Sequence, residues 1–567
     1  MFDRSISTPF GQNVALARLL FDTLFELGCD RAVLCPGSRS TPLALAVAET
    51  GVELTIGLDE RAAAFYALGL AKRSGNPVVL VTTSGTAAIE ALPAVAEASA
   101  AGVPLLVMTA DRPLSLQGVG AAQTLDQVSP YAAFAPTVRL ELAGAMPKDV
   151  VQAGLRVVAL ATGLPTGLQP VQINLHIAEP LVSEEVVEFP PASRLRRPPR
   201  PELAPLPTSE SAVWFDPSRR GWLVAGGEIG PGIAGLGRLS DTLGWPLIAD
   251  SRAGGWGGEG YPIRHYDAIL AAASSPALLP EVVVVAGEVP ASRPLGSWLQ
   301  RCREAGGEIL HLVERGGYRD PLALSTQFAF AAIGATAAAA AARRARCLEP
   351  ALFAIEREVD AWLESELASF SEPGLVRHLH RSLRAGEVLF ASSSMPIRYL
   401  DNFGGHGAAR VLANRGVNGI DGVVASFLGA AEANRAPSVL VTGDLALLYD
   451  LLALRQLPLP EGAAILVLDN RGGVIFDRVP PAAVIPGPVN ERLFVTPHQS
   501  DIPALLAAAG IGQIPVTSTA SVDQLIEIAR GGGFAVGVAA FDREATGIEL
   551  DRLYSGAAQV VRRLEAL

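Results

Sequence analysis

Two polar motifs in the last third of the sequence have the residue types of a site for a hard cation. The apolar run in SVLVTGDLALLYD ends at Asp444, and the run in AAILVLDNRGGVIF ends at Asn470. A strand, a helix and a second strand fit the 26 positions between them and would bring both strand ends side by side. A carboxylate, an amide oxygen and a free backbone carbonyl suit Mg²⁺, especially where phosphates complete its shell. Gly472 and Gly473 would let the backbone approach a diphosphate closely. The alternative is a turn in which Asp444 caps the following helix.

A third polar motif lies in the first third of the chain. The apolar run Val52–Leu58 leads into Asp59 and Glu60 and then into an alanine-rich helical pattern. An acidic residue at a helix start is commonly a surface residue stabilised by the helix dipole. In a mostly apolar setting, burial would instead raise the pKa of Glu60 and help it to share a proton.

The elements that must position these motifs alternate strands with helices along the whole chain, which favours parallel sheets covered on both faces. Strands are predicted at Arg31–Cys35, Val52–Leu58, Pro77–Thr83, Pro104–Ala110, Val171–Leu175, Gly221–Ala225, Pro246–Ala249, Glu281–Ala286, Glu308–Val313, Val388–Ala391, Val411–Ala413, Ser438–Val441 and Ala464–Leu468. Helices are predicted at Ser40–Glu49, Arg61–Lys72, Thr86–Ala100, near Leu375–Leu383, and at Ala425–Ala433 and Leu445–Arg455. The expected fold class is α/β, with three domains that each contain a mainly parallel sheet flanked by helices. Ligands of such sheets bind beyond the carboxyl ends of the strands.

Composition divides the chain and excludes several classes of protein. The proline-rich stretch 187–210 predicts an extended linker, with a surface loop inside one domain as the alternative. A second boundary is expected around 342–372. Hydrophobic residues make up 49% of 567, which excludes a disordered chain. A net charge of −12 without a basic run argues against a nucleic-acid partner.

The apolar stretches and the cysteine spacing argue against membrane insertion and against disulfide bonds. The longest uncharged apolar stretch, Phe328–Ala342, is mostly alanine and too short to span a bilayer. The four cysteines show no paired metal spacing, so we expect reduced thiols in a cytoplasmic protein.

Several motifs resemble one family of enzymes that use thiamine diphosphate. Asp444 and Asn470 resemble the cofactor signature of that superfamily, in which an aspartate is followed after some 25–30 residues by an asparagine. The motifs PGSRSTPL, DERAAAFYALGLAK, TTSGTAAIEALPAVAEA, TADRP, ANRGVNGIDG, TGDLALLYDL and NRGGVIF are similar to the 2-succinyl-5-enolpyruvyl-6-hydroxy-3-cyclohexene-1-carboxylate synthases. Leu445, where many relatives have the second glycine of GDG, is typical of this family. The resemblance runs through nearly the whole chain and is weakest in the middle.

The resemblance implies a fold, a reaction and a cofactor. It implies an aminopyrimidine-binding domain at 1–186, the linker 187–210, a central α/β domain at 211–360 and a diphosphate-binding domain at 361–567. The family decarboxylates 2-oxoglutarate and adds the succinyl-semialdehyde carbanion equivalent to isochorismate in a 1,4-addition, in menaquinone or phylloquinone biosynthesis. The implied cofactors are thiamine diphosphate and Mg²⁺, with Mn²⁺ as a substitute.

The resemblance also implies roles for individual residues around the cofactor. Glu60 would hydrogen-bond the aminopyrimidine ring and activate the cofactor, and the metal ligands would be Asp444, Asn470 and the Gly472 carbonyl. Ile420 would be an apolar wedge under the bent cofactor, or else a core isoleucine. Other implied cofactor contacts are Ser394, Gly443, Leu445, Gly473, Val474 and Ile475. Ser84, Gly85 and Thr86 would approach the aminopyrimidine or an interface, or form an ordinary turn with a threonine cap.

Both implied substrates carry two carboxylates, which arginine forks bind in a bidentate manner. The candidate substrate contacts are Ser38, Arg39, Gln123, Arg293, Arg398, Arg415, Ile475 and Phe476. For any one arginine, a solvent-facing salt bridge is the alternative. Departures from some family members are Ala122, Ser292 and Asp469, which bear on substrate affinity more than on reaction type. Arg112 matches a basic position that is either structural or binds an effector.

The separation of the motifs predicts an oligomer. Glu60 lies in the first domain and the metal motif in the third, and in related enzymes these meet across a subunit interface. We therefore expect a homodimer or homotetramer with interface active sites.

None of the seven histidines is favoured as a catalyst; His378 and His380, spaced i, i+2 on a predicted helix, do not share a face. Competing functions are another thiamine-diphosphate carboligase or decarboxylase, and a non-catalytic regulatory homologue.

Overall fold

Three parallel six-stranded sheets flanked by helices form the described part of the chain, so the predicted α/β class is confirmed. The computed structural model describes residues 12–163, 167–182, 189–190, 195–196, 203–227, 229–230, 232–254, 260–314, 319–341, 350–367 and 370–566. Half of the predicted linker 187–210 lies outside these residues, and its last three residues, Thr208–Glu210, begin a helix rather than continuing an extended segment. No helix among them is long and apolar enough to cross a membrane.

The first sheet has the strand order β2-β1-β3-β4-β8-β5, and a small antiparallel hairpin pairs β6 with β7. Two of its central strands, VVLVT and LLVMTAD, are buried along their whole length, because helices cover both faces. The strands are β1 Arg31–Leu34, β2 Glu53–Ile56, β3 Val78–Thr82, β4 Leu105–Asp111, β5 Thr137–Glu141, β6 Thr162–Gly163, β7 Gly167–Leu168 and β8 Val171–His176. The helices are α1 Asn13–Glu26, α2 Thr41–Ala48, α3 Glu60–Ser74, α4 Thr86–Glu90, α5 Leu92–Ala101 and α6 Pro147–Ala161.

The second sheet has the order β11-β10-β9-β12-β13-β14. Its strands are β9 Gly221–Gly226, β10 Pro246–Ala249, β11 Tyr261–Ile263, β12 Val282–Gly287, β13 Glu308–Val313 and β14 Gln327–Phe330. The helices of this part are α7 Thr208–Trp214, α8 Gly232–Leu243, α9 Tyr266–Ala272, α10 Arg293–Glu304, α11 Ile333–Ala341 and α12 Ala351–Glu366.

The third sheet has the order β16-β15-β17-β18-β20-β19. Its strands are β15 Val388–Ala391, β16 Arg410–Leu412, β17 Ser438–Gly443, β18 Ala463–Asp469, β19 Gln513–Pro515 and β20 Phe534–Ala540. The helices are α13 Glu372–Ser382, α14 Met395–Phe403, α15 Val423–Glu432, α16 Asp444–Asp450, α17 Ala453–Gln456, α18 Gly487–Asn490, α19 Ile502–Ala508, α20 Thr519–Arg530 and α21 Arg543–Glu565.

Two predicted helices are each divided in two. The helix predicted at Thr86–Ala100 breaks at Ala91, because Pro93 has no N–H to donate to the carbonyl of Ile89. The helix predicted at Leu445–Arg455 ends at Asp450, whose buried carboxylate accepts the backbone N–H of Ala425 at 2.8 Å, and α17 follows. Strands that the sequence analysis did not predict are β5, β11, β14, β19 and β20 and the short β6 and β7.

The chain contacts define two compact units. The first comprises residues up to 201 with 414–435 and 449–461, and the second comprises 202–413, 436–448 and 462–567.

In the first unit, α15 packs directly on α3 through glycine. A Cβ on Gly69 would lie 2.0 Å from the Ser426 carbonyl oxygen, and one on Gly429 would lie 2.0 Å from the Tyr66 carbonyl oxygen. Larger residues would force the two helices apart.

A buried carboxylate also holds the loop that precedes α15. Glu97 on α5 is 1% exposed and accepts the backbone N–H groups of Gly416 at 2.9 Å and Val417 at 2.7 Å. The Lys72 ammonium lies 3.5 Å from the same carboxylate. This loop carries Arg415 and Ile420, so Glu97 fixes the backbone that presents both.

We predict that Glu97→Ala lowers the free energy of unfolding by about 3–5 kcal/mol, because it leaves the buried Lys72 ammonium without its carboxylate and two N–H groups unpaired. Urea unfolding followed by circular dichroism measures this change. Glu49→Ala, which removes an exposed pair with Arg18, is the control and costs at most about 1 kcal/mol. Equal losses in the two variants would contradict the assigned role of Glu97.

Candidate functional site

A polar pocket lies beyond the carboxyl ends of β2 and β3 in the first unit. Helix α3 begins at Glu60, one residue earlier than predicted, and the Asp59 carboxylate caps it by accepting the Ala62 N–H at 3.1 Å. The pocket has a volume of about 540 Å³. It is lined by Asp59, Glu60, Arg61, Thr83, Ser84, Thr86, Ala87, Glu90 and Gln123. Glu60 and Gln123, which the sequence analysis singled out separately, therefore share one pocket.

The setting of Glu60 favours its protonated form. Burial is the main cause that raises the pKa of Glu60, and the neighbouring carboxylates of Asp59 and Glu90 add to it, although a backbone hydrogen bond opposes them. Burial also raises the pKa of the Cys35 thiol, with a further contribution from Glu60. The Thr83 hydroxyl is buried and has no hydrogen-bond partner among the described residues. The pocket is thus lined by a carboxyl group whose pKa is raised and by a buried hydroxyl that has no hydrogen-bond partner among the described residues.

One wall of this pocket is held by a side-chain network. Gly85, with φ at +85°, is the N-cap of α4, and its N–H donates to Gln127 Oε1 at 2.7 Å. Gln123 Nε2 donates to the Ser84 carbonyl at 2.8 Å, and Arg112 Nη1 donates to Ser84 Oγ at 2.5 Å. The alternative of a threonine cap is therefore wrong, since Thr86 is the first helical residue. Sequence reasoning missed Gln127, because nothing separates it from other polar residues of its loop.

The arginine of PGSRSTPL is paired with a carboxylate in this structure. Arg39 is 9% exposed, donates to the Ile177 carbonyl at 3.0 Å and forms a 3.0 Å ion pair with Glu179. Ser38 is exposed, and its carbonyl accepts the Thr41 hydroxyl. Burial lowers the pKa of Arg112, and the charge of Arg39 lowers it further. Arg39 therefore holds a carbonyl and a carboxylate through two of its nitrogens, while its buried Nε has no hydrogen-bond partner among the described residues.

The two motifs of the last third meet in the second unit as predicted. Strands β17 and β18 pair in parallel, with Gly443 opposite Leu468, so Asp444 and Asn470 both follow the same edge of the sheet. Asp444 Oδ1 accepts the N–H of Leu445 at 2.7 Å, and Oδ2 accepts the N–H of Gly472 at 2.8 Å. Burial raises the pKa of Asp444 to about 6. Its carboxylate therefore spans the two strand ends and does more than cap its own helix.

Only one end of the Asn470 amide has a hydrogen-bond partner among the described residues. Its Nδ2 donates to Glu372 Oε1 at 3.0 Å, while Oδ1 is buried and accepts no hydrogen bond from any residue that the structure describes. Burial raises the pKa of Glu372 to about 7 against the opposing hydrogen bonds from Asn470, Tyr399 and Thr546. An orphaned buried oxygen beside a carboxylate is the donor arrangement that a hard cation completes.

The glycine turn after Asn470 leaves no room for side chains. A Cβ on Gly472 would lie 3.0 Å from Val495, and one on Gly473 would lie 2.7 Å from the Phe476 ring. Phe476 in turn faces Phe494 with ring centroids 6.1 Å apart, and Ile475 is half-buried. Internal packing therefore requires glycine at both positions. The donor set itself fits Mg²⁺: the Asp444 carboxylate, the Asn470 Oδ1 atom and the Gly472 carbonyl, which also accepts the Val474 N–H at 3.2 Å.

A histidine that sequence reasoning set aside lies beside these ligands. His498 Nε2 is 3.1 Å from Asp444 Oδ2, and donor atoms of His498, Asp444 and Asp469 lie within 4.8 Å of one another. The Ser500 N–H donates to His498 Nδ1, so Nε2 carries the proton and donates to Asp444. No local pattern could reveal this, because His498 is distant in sequence. His378 pairs with Asp523 at the surface and His380 is buried, which confirms that they face opposite ways.

Two further candidate arginines share one neighbourhood in the second unit. Arg398 on α14 donates to the Ser394 carbonyl at 2.7 Å, and Ser394 has φ at +73°, a costly conformation for a non-glycine residue. Arg293 is exposed at the start of α10, next to Ser292, whose hydroxyl donates to Asp267 at 2.5 Å. Burial raises the pKa of Asp267, against the lowering effects of Ser292 and Arg398.

For the remaining candidates, the structure gives their position in the fold and their burial. Arg415 and Ile420 lie in the first unit on the loop held by Glu97, and Ile420 is partly exposed, unlike a core isoleucine. Gly443 has open space where a Cβ would stand, Leu445 is half-buried and Val474 is buried. Their contacts to a cofactor or substrate stay predictions.

Comparison with known proteins gives consistent matches. The family described as thiamine pyrophosphate enzyme, N-terminal TPP binding domain, matches residues 14–129, and the middle domain of thiamine pyrophosphate enzymes matches 206–391. A benzoylformate decarboxylase structure from Polynucleobacter necessarius matches with a TM-score of 0.68 at 14% identity, over 93% of this chain and 99% of that one. This last likeness concerns the fold.

Curated relatives give the family. The 2-succinyl-5-enolpyruvyl-6-hydroxy-3-cyclohexene-1-carboxylate synthase of Myxococcus xanthus is 36% identical, over 97% of this chain and 98% of its own. The synthase of the same name from Geobacillus kaustophilus is 39% identical, over 82% of this chain and 84% of its own. The chain therefore belongs to the 2-succinyl-5-enolpyruvyl-6-hydroxy-3-cyclohexene-1-carboxylate synthase family of thiamine-diphosphate-dependent enzymes.

Proposed function

We propose that this protein is a transferase that decarboxylates 2-oxoglutarate and adds the remaining four-carbon unit to isochorismate. The product is 2-succinyl-5-enolpyruvyl-6-hydroxy-3-cyclohexene-1-carboxylate, an intermediate of menaquinone or phylloquinone biosynthesis. One observation carries the proposal beyond family membership: the orphaned Asn470 oxygen lies in the same strand-end cluster as the Asp444 carboxylate.

The metal-binding half of the site would hold the cofactor's charged end. Asp444, Asn470 Oδ1 and the Gly472 carbonyl would bind Mg²⁺ or Mn²⁺, and the backbone around Gly473 would lie along the diphosphate. Leu445, Val474 and Ile475 would exclude water from this end. When bound, thiamine diphosphate supplies a carbanion at C2 of its thiazolium ring and accepts the electrons that decarboxylation releases.

The pocket of the first unit would handle the proton. Glu60 would share a proton with a ring nitrogen of the aminopyrimidine, and the upward shift of the pKa of its carboxyl group favours this role. Ile420 would support the bent cofactor from below, and Ser394 would add a polar contact. Gln123, already in the Glu60 pocket, would reach the substrate.

The substrates' carboxylates would be bound by arginine. Arg39, Arg293, Arg398 and Arg415 are the proposed partners, with Ser38 and the Phe476 ring completing the pocket. Arg39 would exchange Glu179 for a substrate carboxylate, an exchange that keeps its fork paired throughout. The departures Ala122, Ser292 and Asp469 would tune affinity.

Both halves would meet in an oligomer. We propose a cytoplasmic homodimer or homotetramer in which the Glu60 pocket of one subunit and the metal site of another bind the same cofactor. Residues 1–186 would then act as the aminopyrimidine-binding domain, 361–567 as the diphosphate-binding domain and 211–360 as a central domain. Small molecules are the proposed partners, and nucleic acid is not among them.

The direct test incubates the purified protein with thiamine diphosphate, Mg²⁺, 2-oxoglutarate and isochorismate, and measures product mass. The expected product contains both substrates less carbon dioxide. Decarboxylation without addition to isochorismate would favour another 2-oxoacid decarboxylase or carboligase. Cofactor binding by calorimetry without any turnover would favour a regulatory homologue.

We predict that Glu60→Gln lowers kcat by about 10²–10⁴-fold, because the amide cannot exchange the proton that the carboxyl group carries. Calorimetry should show that thiamine diphosphate still binds. Glu53→Gln, an exposed residue on β2, is the control and should keep wild-type turnover. Near-normal turnover in Glu60→Gln would contradict the role of Glu60.

Removal of the metal ion should stop turnover, and removal of a metal ligand should weaken metal binding. We predict that EDTA stops the reaction and that Mg²⁺ or Mn²⁺ restores it. Asp444→Ala and Asn470→Leu should each weaken Mn²⁺ binding by more than the roughly 10–100-fold typical of an outer-shell change, as measured by electron paramagnetic resonance. Asp501→Asn, a nearby helix cap, should bind Mn²⁺ normally. Wild-type Mn²⁺ affinity in both ligand variants would exclude this metal site.

A further inference from the structure

A buried carboxylate lies directly behind Asn470 and has no part in the function proposed above. Glu372, the first residue of α13, is 1% exposed. Its Oε1 accepts Asn470 Nδ2 at 3.0 Å and the Thr546 hydroxyl at 3.2 Å, and its Oε2 accepts the Tyr399 hydroxyl at 2.9 Å. Both carboxylate oxygens are thus engaged by donors from three separate elements.

The contact decides which end of the Asn470 amide is left without a hydrogen-bond partner among the described residues. A side-chain amide has a donor end and an acceptor end of nearly the same shape, so packing alone does not orient it. With Nδ2 on the Glu372 carboxylate, Oδ1 is the end left without a partner among the described residues. With Glu372 ionised, a flipped amide would place Oδ1 against the carboxylate and would present two N–H groups to a cation, and both arrangements are repulsive.

We propose that Glu372 is a positioning residue that orients the Asn470 amide so that Oδ1 faces the metal ion. The inference rests on the proposed function, because it needs Asn470 to be a ligand. Outer partners of this kind orient metal ligands and commonly change metal affinity when they are lost.

The carboxylate is itself held in place by rigid elements. The Tyr399 hydroxyl comes from α14 and the Thr546 hydroxyl from α21, while the Ser371 hydroxyl caps α13 by accepting the Gly374 N–H at 3.2 Å. Glu372 therefore cannot follow Asn470 if the amide turns. Its position in the chain, about 100 residues before Asn470, explains why no motif links the two.

The test distinguishes the length of the Glu372 side chain from its charge. Glu372→Gln keeps an acceptor oxygen at the same length without the charge, and Glu372→Asp keeps the charge but withdraws it from Asn470. We expect Mn²⁺ affinity, measured by electron paramagnetic resonance with thiamine diphosphate present, to stay within about 3-fold of wild type in the first variant. It should fall by about 10–100-fold in the second.

A matched control separates orientation from general stability. Glu356 is also 1% exposed and is held by His265, so Glu356→Asp disturbs a buried carboxylate in the same unit that does not contact Asn470. Its thermal midpoint should fall while its Mn²⁺ affinity stays at the wild-type value. Tyr399→Phe should weaken Mn²⁺ binding less than Glu372→Asp, because one hydrogen bond to the carboxylate is lost but the carboxylate remains.

The outcomes bear on the two proposals differently. Unchanged Mn²⁺ affinity in a folded Glu372→Asp variant, or an equal loss in Glu356→Asp, would overturn the role of Glu372 and leave the metal site intact. Absence of Mn²⁺ binding in the wild-type protein with thiamine diphosphate would overturn the metal site, and the role of Glu372 with it. Loss in Glu372→Asp with retention in Glu372→Gln supports the proposal.

Discussion

The parallel pairing of β17 with β18 is the constraint on which the candidate metal site depends. Because the two strands run parallel and in register, the residues that follow them lie at the same edge of the sheet. The Asp444 carboxylate and the Asn470 amide therefore lie close together although they are far apart in the sequence. The Gly472 N–H then ties the turn to Asp444, and Glu372 and His498 each hold one ligand side chain. A cation would be bound by groups already in place, with little left to reorganise.

In the first unit, a carboxyl group likewise follows a strand end, and its expected role is to carry a proton instead of binding a metal ion. Glu60 stands where β2 turns into α3, at the positive end of a helix but among carboxylates and buried surface that raise its pKa. The network from Gln127 to Gly85 and Ser84 fixes the opposite wall. Meanwhile the loop held by Glu97 brings Arg415 and Ile420, from the last third of the chain, into this unit. Motifs far apart in sequence are thus assembled by buried carboxylates that accept backbone N–H groups.

The sequence predicted those features that depend on residues close together along the chain. Apolar runs ending in polar residues predicted most strands within one or two residues, the adjacency of Asp444 and Asn470, and Glu60 at a helix start. It could not predict partners set by tertiary packing: His498 and Glu372 beside the metal ligands, Gln127 behind Gly85, or Glu179 on Arg39. Such contacts join residues tens to hundreds of positions apart, and each residue alone resembles an ordinary surface or core side chain. Edge strands such as β5 and β19 were missed because they are short and partly exposed, with weak periodicity.

The central claim is that a proton-sharing carboxyl group and an oxygen-donor metal site from two subunits serve one cofactor. Mixing inactive Glu60→Ala and Asp444→Ala subunits tests it most directly, after subunit exchange has been proven with differently tagged chains. In a dimer, random exchange makes half of the molecules mixed, and each mixed dimer regains one intact site, so activity should recover to about a quarter of the wild-type value. No recovery despite proven exchange would contradict the account.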